Sequence, residues 1–504
     1  MAATASITTS PEGRRILPPL DAVARSGDTA FVMGKDRWTY ERFSTEIDQL
    51  AAGLAARGIG PGDRIALHLA NGPEIAVAYY ACFRVGAIAA PLNLRFKPAE
   101  LRAVLTLLKP SLYIGDAVHY PLIAGLAGSI LGVEDRYVVG RSGEARPWTA
   151  LLSDPASVPP PGPADRDAPA VLLLTSGTTG KPKLVAHSQN TLSAATDFFG
   201  ELELERGGVL AFPRPMVHAS GLFYMLHAVR HRMSMIMLDP ADPDGMLDAV
   251  QNHGCTYLPV PLISCEALIE RQLRHPRDLS SLRGCGISAD ICPPGRQEAF
   301  QAVFGLPLKS FWASTEGTFP FTYGLETGAV GRPRPGSAVK LVAEDGTSVP
   351  RGEIGELLVR GPHVALGYWR GPGRVDGLED GWYRSGDMMR QDEEGNFRFV
   401  SRRKDLIVRA GSNISPVEVE QVIAQHEDVR DAAVIGVPDP VLGQRVVGFV
   451  QLETGTGPER LDEILESARS RLADYKMPEW LRPLAKIPRN ALGKVDRRAL
   501  AGMI

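Results

Sequence analysis

Nine consecutive residues, Thr175 to Lys183 (TSGTTGKPK), gather four hydroxyls, two glycines and two lysines directly after the apolar run Val171 to Leu174. Such a loop is suited to phosphate. Glycines let backbone N–H groups approach an oxyanion, the hydroxyls of Thr175, Ser176, Thr178 and Thr179 donate beside Gly177, and Lys181 or Lys183 supplies positive charge. It is not a Walker loop: with Gly180 and Lys181 as the Gly-Lys pair, Thr175 holds the first glycine's place and Pro182 follows the lysine. Other reactive residue types are scattered downstream, among them His218, Glu316, Asp387, Arg402 and Lys494. Singly each has a bland reading, as a structural histidine, a helix cap or a solvated charge.

The motifs in their order carry a resemblance. TSGTTGKPK is followed by PMVHASGL (Pro215 to Leu222), FWASTEG (Phe311 to Gly317), YRSGD (Tyr383 to Asp387), SRRKDLIVRAGSNISPVEVE (Ser401 to Glu420) and PRNALGKVDR (Pro488 to Arg497). Together they resemble the acyl-adenylate-forming superfamily of acyl-CoA synthetases, luciferases and peptide-synthetase adenylation domains, most closely the AMP-forming acid:CoA ligases. The resemblance covers essentially the whole chain. It implies an α/β fold: a large N-terminal domain of layered αβαβα sheets with a small β-barrel, residues 1–402, and a small mobile α+β C-terminal lid domain, residues 403–504.

It also implies roles. Joining a carboxylate to the α-phosphate of ATP brings two anions together, so positive charge must develop its effect in the transition state. Lys494 matches the lysine that bridges the two groups. Glu316 matches the glutamate that holds Mg²⁺, with the Thr175 and Thr315 hydroxyls as partners, oxygen ligands that a hard cation prefers. Asp387 matches the aspartate that accepts from the ribose hydroxyls, and Arg402 its neighbouring arginine. Trp312 stands where an aromatic residue, usually tyrosine, lies against adenine, Ser314 belongs to the same motif, and Ser288, Ala289 and Asp290 match the stretch along the other side of the base. Ala313 replaces a glycine and narrows or shortens the acyl pocket. His218 matches a position near the reacting carboxylate; its role is positioning, since the acid is already ionised at neutral pH. Lys404 matches the hinge of the small domain, and Arg409, Ala410 and Gly411 the path of the thiol. Ala410 stands in place of a glycine there, and Tyr475 and Lys476 are candidates for holding the CoA nucleotide.

The elements that must position these residues are legible in outline. Arg64 to Leu69 reads as a strand, Pro73 to Val85 as a helix, Leu112 to Ile114 and Ala170 to Leu174 as strands, an alternation that means parallel sheets. Pro155 to Pro163 reads as a surface connection. The last hundred residues have their own set: a helix opened by a capping box of Ser415 and Glu418 with Pro416 at its first position, strands near Ala432 to Val437 and Arg445 to Leu452, and a helix from Glu459 to Leu472. The basic run Arg402, Arg403, Lys404 before it is a candidate hinge; periodicity alone reads it as a solvated turn.

Composition sets limits. In 504 residues, 44% are apolar and 22% charged, and a formal charge of -3 supplies no field for nucleic acid or an acidic membrane. Cys82, Cys255, Cys265, Cys285 and Cys292 form no CxxC pair, which fits reduced cytosolic thiols. No stretch is apolar enough for a signal or a span, so a cytoplasmic protein is expected, with no nucleic acid or integral membrane partner and a homodimer left open.

The expected function is an AMP-forming carboxylic acid:CoA ligase using ATP, Mg²⁺ and coenzyme A, acting on a small-molecule acid. The alternative is an adenylation enzyme that loads a carrier-protein thiol. An amino-acid-activating module is disfavoured because His218, Ala219 and Ser220 stand where an aspartate would meet the ammonium. The joint presence of Lys494, Glu316 and Asp387 argues against a non-catalytic relative, and luciferase-like oxidation stays open. Candidate pocket residues Met216, Val217, His218, Leu222, Phe223, Val260 and Ala313 are mostly apolar, which favours a fatty, alicyclic or aromatic acid over a dicarboxylate.

Overall fold

The computed structural model describes residues 28–126, 130–157, 165–176, 182–288, 292, 295–325, 329–410, 412–489 and 494–504. Arg64–His68 is a strand, Pro73–Val85 a helix begun by its own proline, and Leu112–Asp116 a strand. A proline in the first turn sacrifices no helical hydrogen bond, so the helix starts where the sequence places it. These strands run parallel in a nine-stranded sheet, Ile65 registering with Ala89 on one side and Leu112 on the other. Pro169–Ser176 extends it and turns back antiparallel as Pro182–Ser188, with Thr175 facing Lys183. A seven-stranded sheet holds Val209–Phe212, Ser234–Met237, Tyr257–Val260, Gly284–Ile287 and Leu308–Ser310 in parallel, joined by Thr29–Met33 and closed by the antiparallel Asp36–Thr39.

Parallel strands need helices on both faces, and the cores show five layers. Phe43, Tyr80, Leu192 and Phe223, from four helices between the sheets, share one core with Ile65 and Leu173 of the first sheet and Leu210 and Tyr257 of the second. Leu101 and Val104 of Pro98–Leu108 cover the far face of the first sheet with Ala66 and Leu172. Leu247, Leu268 and Phe300, from three further helices, cover the far face of the second with Leu258 and Ile287. The smaller β element is an antiparallel five-stranded sheet running from Ala329–Gly331 through Phe397–Arg402, Tyr383–Gln391 and Ile354–Arg360 to Ala338–Val342, over a core that includes Trp312 and Phe321.

The C-terminal segment builds its own sheet from Val429–Asp439 and Gly443–Leu452, flanked by Ile407–Arg409, Ser412–Ile414 and Leu481–Pro483. Ser415 caps Pro416–Ile423 by accepting from the Glu418 N–H at 3.1 Å. The expected reciprocal half of the capping box does not form, because the Glu418 carboxylate accepts instead from Lys476 Nζ at 2.6 Å. The helix expected from Glu459 to Leu472 is shorter, a Pro458–Arg460 turn leading into Leu461–Arg469. Arg402 ends its strand and Arg403–Asp405 forms a single turn of 3-10 helix between the two sheets. All five cysteines are reduced and buried. Among the described residues no helix is long and apolar enough to cross a membrane.

Candidate active site

The antiparallel turn-back of Pro169–Ser176 onto Pro182–Ser188 leaves the phosphate-type loop at its tip. Gly177, Thr178, Thr179 and Lys181 lie outside the described residues, as do Ala289, Asp290 and Gly411. The stem is described. Thr175 and Lys183 are directly paired, and Lys183 Nζ sits over the Tyr368 ring at 5.1 Å. Tyr368 leads on to Glu316, whose Oε1 accepts from the Tyr368 hydroxyl at 3.2 Å and whose Oε2 accepts from the Tyr383 hydroxyl at 3.3 Å. Burial pushes the Glu316 carboxyl above the usual carboxylate range, and the two phenols and the Lys183 charge pull it part of the way back.

The backbone around Glu316 is held by a histidine that sequence reading did not assign. His187 Nε2 lies 2.8 Å from the Thr315 carbonyl, which can only accept, so Nε2 carries the proton. Burial lowers the His187 pKa to about 4, so the ring is neutral and this tautomer is kept through physiological pH. The Ala365 N–H donates to the Glu316 carbonyl and the Gly317 N–H to Ser314 Oγ, closing the turn. Gly317 is required by crowding: a Cβ there would stand 2.9 Å from the Tyr383 ring and 3.0 Å from Ser314 Oγ.

Asp387, on Tyr383–Gln391, is 1% exposed and registers with Arg402 on the adjacent strand. The Trp312 indole N–H donates to its Oδ2 at 2.7 Å. Arg402 Nε approaches Oδ1 at 2.7 Å, but Oδ1 receives no well-aligned hydrogen bond from the protein and can still accept from a ligand hydroxyl. Burial raises the Asp387 carboxyl, while the charge of Arg402, the Trp312 donor and the charge of Lys494 lower it. The Lys494 charge thus reaches this carboxylate from the C-terminal segment. Trp312 also belongs to the core of the antiparallel sheet.

His218 is the N-cap residue of Ala219–Arg230, and burial, then the Arg95 charge, lower its pKa, keeping it neutral. A Cβ at Gly221 would lie 2.1 Å from the Pro215 carbonyl oxygen, so glycine lets this helix press against the segment that carries Met216 and Val217. Asn71 fixes that segment, donating to the Arg214 carbonyl and accepting from the Met216 N–H, both at 2.7 Å. Met216, Val217, Leu222 and Phe223 share the central core, with Ala313 packed against it. Val260 does not join them: strand alternation turns its side chain to the opposite face, among Cys265 and Leu268. Its carbonyl instead accepts from Arg214 Nη2 at 2.7 Å.

Among the described residues, the candidate thiol-side residues Arg409, Tyr475 and Lys476 lie near one another in the C-terminal segment. Arg409 donates to the carbonyls of Tyr475 and Met477 and pairs with Glu479, while Lys476 pairs with Glu418. Ala410 has φ +49°, a left-handed conformation that a glycine would take without strain. Lys404 is exposed, beside Arg403, which is bound to Glu356 and Glu344. Ser288 is buried at the end of Gly284–Ile287. Neither Tyr368 nor Arg214 lies in the motifs that mark the site in the sequence. An arginine between two prolines in an apolar stretch, Pro213-Arg214-Pro215, was the available signal for the second.

The fold and this site define a class. The chain matches the AMP-binding enzyme family over residues 20–369 and that family's C-terminal domain over 418–494. It belongs to this family of adenylate-forming enzymes, which includes the AMP-forming acid–CoA ligases. Among curated proteins it is similar to the sulfoacetate–CoA ligase of Cupriavidus necator, with 32% identity covering 98% of each chain. It is likewise similar to the indoleacetate–CoA ligase of Aromatoleum aromaticum, with 31% identity covering 94% of each. Among solved structures, ATP-bound MatB from Rhodopseudomonas palustris superposes with a TM-score of 0.88 at 27% identity, covering 97% of this chain and 98% of that one.

Proposed function

We propose that this protein is an acid–CoA ligase working in two half-reactions on one site. The observation that supports it best is the buried Asp387 of the antiparallel sheet, which pairs with Arg402, accepts from Trp312 and feels the charge of Lys494 from the C-terminal segment. In the first half-reaction a carboxylate oxygen attacks the α-phosphorus of ATP, diphosphate leaves, and an acyl-adenylate forms. In the second a thiolate attacks the acyl carbon and AMP leaves. Asp387 would receive the ribose hydroxyls through its available Oδ1, with Arg402 beside it and Trp312 and Ser288 toward the base. Lys494 would neutralise the charge that develops between the acid and the α-phosphate. Neutral His218 would orient the acid.

The donor set fits magnesium. Among the described residues no three His, Cys, Asp or Glu side chains are grouped to hold a metal on their own, and one carboxylate with a hydroxyl suits an ion that keeps its waters and is shared with phosphates. Glu316 and Thr175 would hold it, and its chemistry is charge neutralisation on the phosphates.

The chain would divide at residues 402 and 403, with Lys404 as the hinge that carries Lys494 away and brings Arg409, Ala410 and Gly411 to the thiol. Tyr475 and Lys476 would then face the CoA nucleotide. Among the described residues, such a rotation must break the Arg430–Glu266 pair and the Ser415 hydrogen bond to the Val400 carbonyl. Coenzyme A as acceptor is supported by the names of both curated relatives, which pair a small acid with CoA. The test is incubation with ATP, Mg²⁺, CoA and a panel of acids, reading AMP and thioester by mass spectrometry. Acid-dependent AMP and acyl-CoA in equal amounts are expected. AMP without thioester would reject CoA, and no AMP with any acid would reject the ligase reading.

A further inference from the structure

We propose that the activated acid carries a second anionic group, a sulfonate or a carboxylate, held by Arg214 with the hydroxyls of Tyr224 and Tyr257. The proposal rests on the ligase reading above and names its substrate class. Arg214 is 9% exposed, and among the described residues its side chain donates from Nη2 to the Val260 carbonyl while Nε is buried with no partner. Among the described residues no Asp or Glu is placed to form an ion pair with it. A buried guanidinium without a counter-charge is costly and is kept where an anion completes it.

The two phenols strengthen the case. Tyr224 and Tyr257 are fully buried near the Arg214 charge, and their hydroxyls interact with each other, loosely enough that neither oxygen is well satisfied. Burial pushes Tyr224 up to about 12 and Tyr257 well above its ordinary value, so both keep their protons at neutral pH. Space for the Tyr257 phenol is provided by Gly286, where a Cβ would stand 2.2 Å from that hydroxyl. The cluster is rich in donors and holds no carboxylate, the composition of an anion site.

Its place is the acyl side of the centre. Only Pro215 separates Arg214 from Met216 and Val217, and Tyr224 lies on the helix that carries Leu222 and Phe223. The His218 N–H donates to the Pro215 carbonyl at 3.1 Å, closing a turn that holds those two Cα atoms within about 7 Å. An acid oriented by His218 would place its second anionic group toward Arg214, four residues earlier in the chain. This replaces the apolar acid expected from the flanking residues: the walls are apolar, but a charged group lies among them.

The experiment compares size-matched pairs on the full-length enzyme: sulfoacetate against tert-butylacetate, malonate against isovalerate, and succinate against isocaproate. A preference of about 100-fold or more in kcat/KM for at least one charged member is expected, as for sites built to pair a polar group. The favoured pair tells sulfonate from carboxylate. Arg214→Met should bring that ratio toward one. Should this variant not fold, Tyr257→Phe and the wild-type ratios decide. A wild-type enzyme that uses the neutral members equally well, or a folded Arg214→Met variant that keeps the preference, overturns the inference and leaves the ligase reading intact. If no acid yields AMP, the ligase reading fails and the inference falls with it.

Discussion

Trp312→Phe removes one N–H and little else from the nucleotide side of the site. The indole donates at 2.7 Å to Oδ2 of a carboxylate that is 1% exposed. A hydrogen bond to a buried charge contributes about 1.5–3 kcal/mol, and phenylalanine keeps most of the packing against Phe321 and Tyr383. Arg402 remains at 2.7 Å from Oδ1 and compensates in part, so the lower end is the better expectation. If Asp387 holds the ribose, that loss reorients or protonates the carboxylate, and the Kd for ATP rises roughly 10- to 100-fold. Calorimetric titration with ATP and with 2′-deoxy-ATP is the assay. The variant should lose more affinity for ATP than for the deoxynucleotide, because only the former presents both hydroxyls. A folded variant with unchanged ATP affinity, or with equal losses for both nucleotides, would show that Trp312 merely fills the core and that Asp387 does not receive the ribose.

Lys494→Ala should lower acyl-adenylate formation by more than about 100-fold while a pre-formed acyl-adenylate is still converted to thioester, measured by single-turnover quench; equal losses in both half-reactions would remove the lysine from the first transition state. Glu316→Gln should raise the Mg²⁺ concentration needed for AMP formation without changing the melting temperature by more than a few degrees, and normal activity at limiting Mg²⁺ would exclude this carboxylate from the metal site. Lys404→Pro should spare adenylation and slow thioester formation, since proline freezes φ and removes an N–H at the turn between the sheets; a broken static turn would instead lower stability and both rates together. His68, His187, His227 and His363 are each lowered from 6.5 to about 4, mainly by burial. The unfolded chain binds these protons first, so stability is fully present above pH 6.5 and is lost as pH falls toward 4, by up to about 3 kcal/mol per histidine. The raised carboxyls of Glu316 and Asp387 oppose this weakly. Urea midpoints that stay flat between pH 7 and 5 would contradict it.

The strands and helices with strong periodicity or a proline start, such as Pro73–Val85 and Pro416–Ile423, were readable because the forces that shape them act within one turn. The motifs, too, were legible, because phosphate, carboxylate and metal chemistry demand particular residue types at short spacing. Contacts between distant elements were not. Ser415 and Glu418 read as a reciprocal cap, but Lys476, fifty-eight residues beyond Glu418, takes the carboxylate. Val260 read as a pocket wall, but its place in the strand alternation turns it to the other face. His187 gave no local sign that it would hold the Thr315 carbonyl, nor Trp312 that its N–H would meet Asp387. By itself the sequence determined the chemistry's parts list and the family. Only the tertiary structure decided which buried polar groups are paired and which, like Arg214 Nε, are left without a partner, because burial and pairing depend on residues that are far apart in the chain.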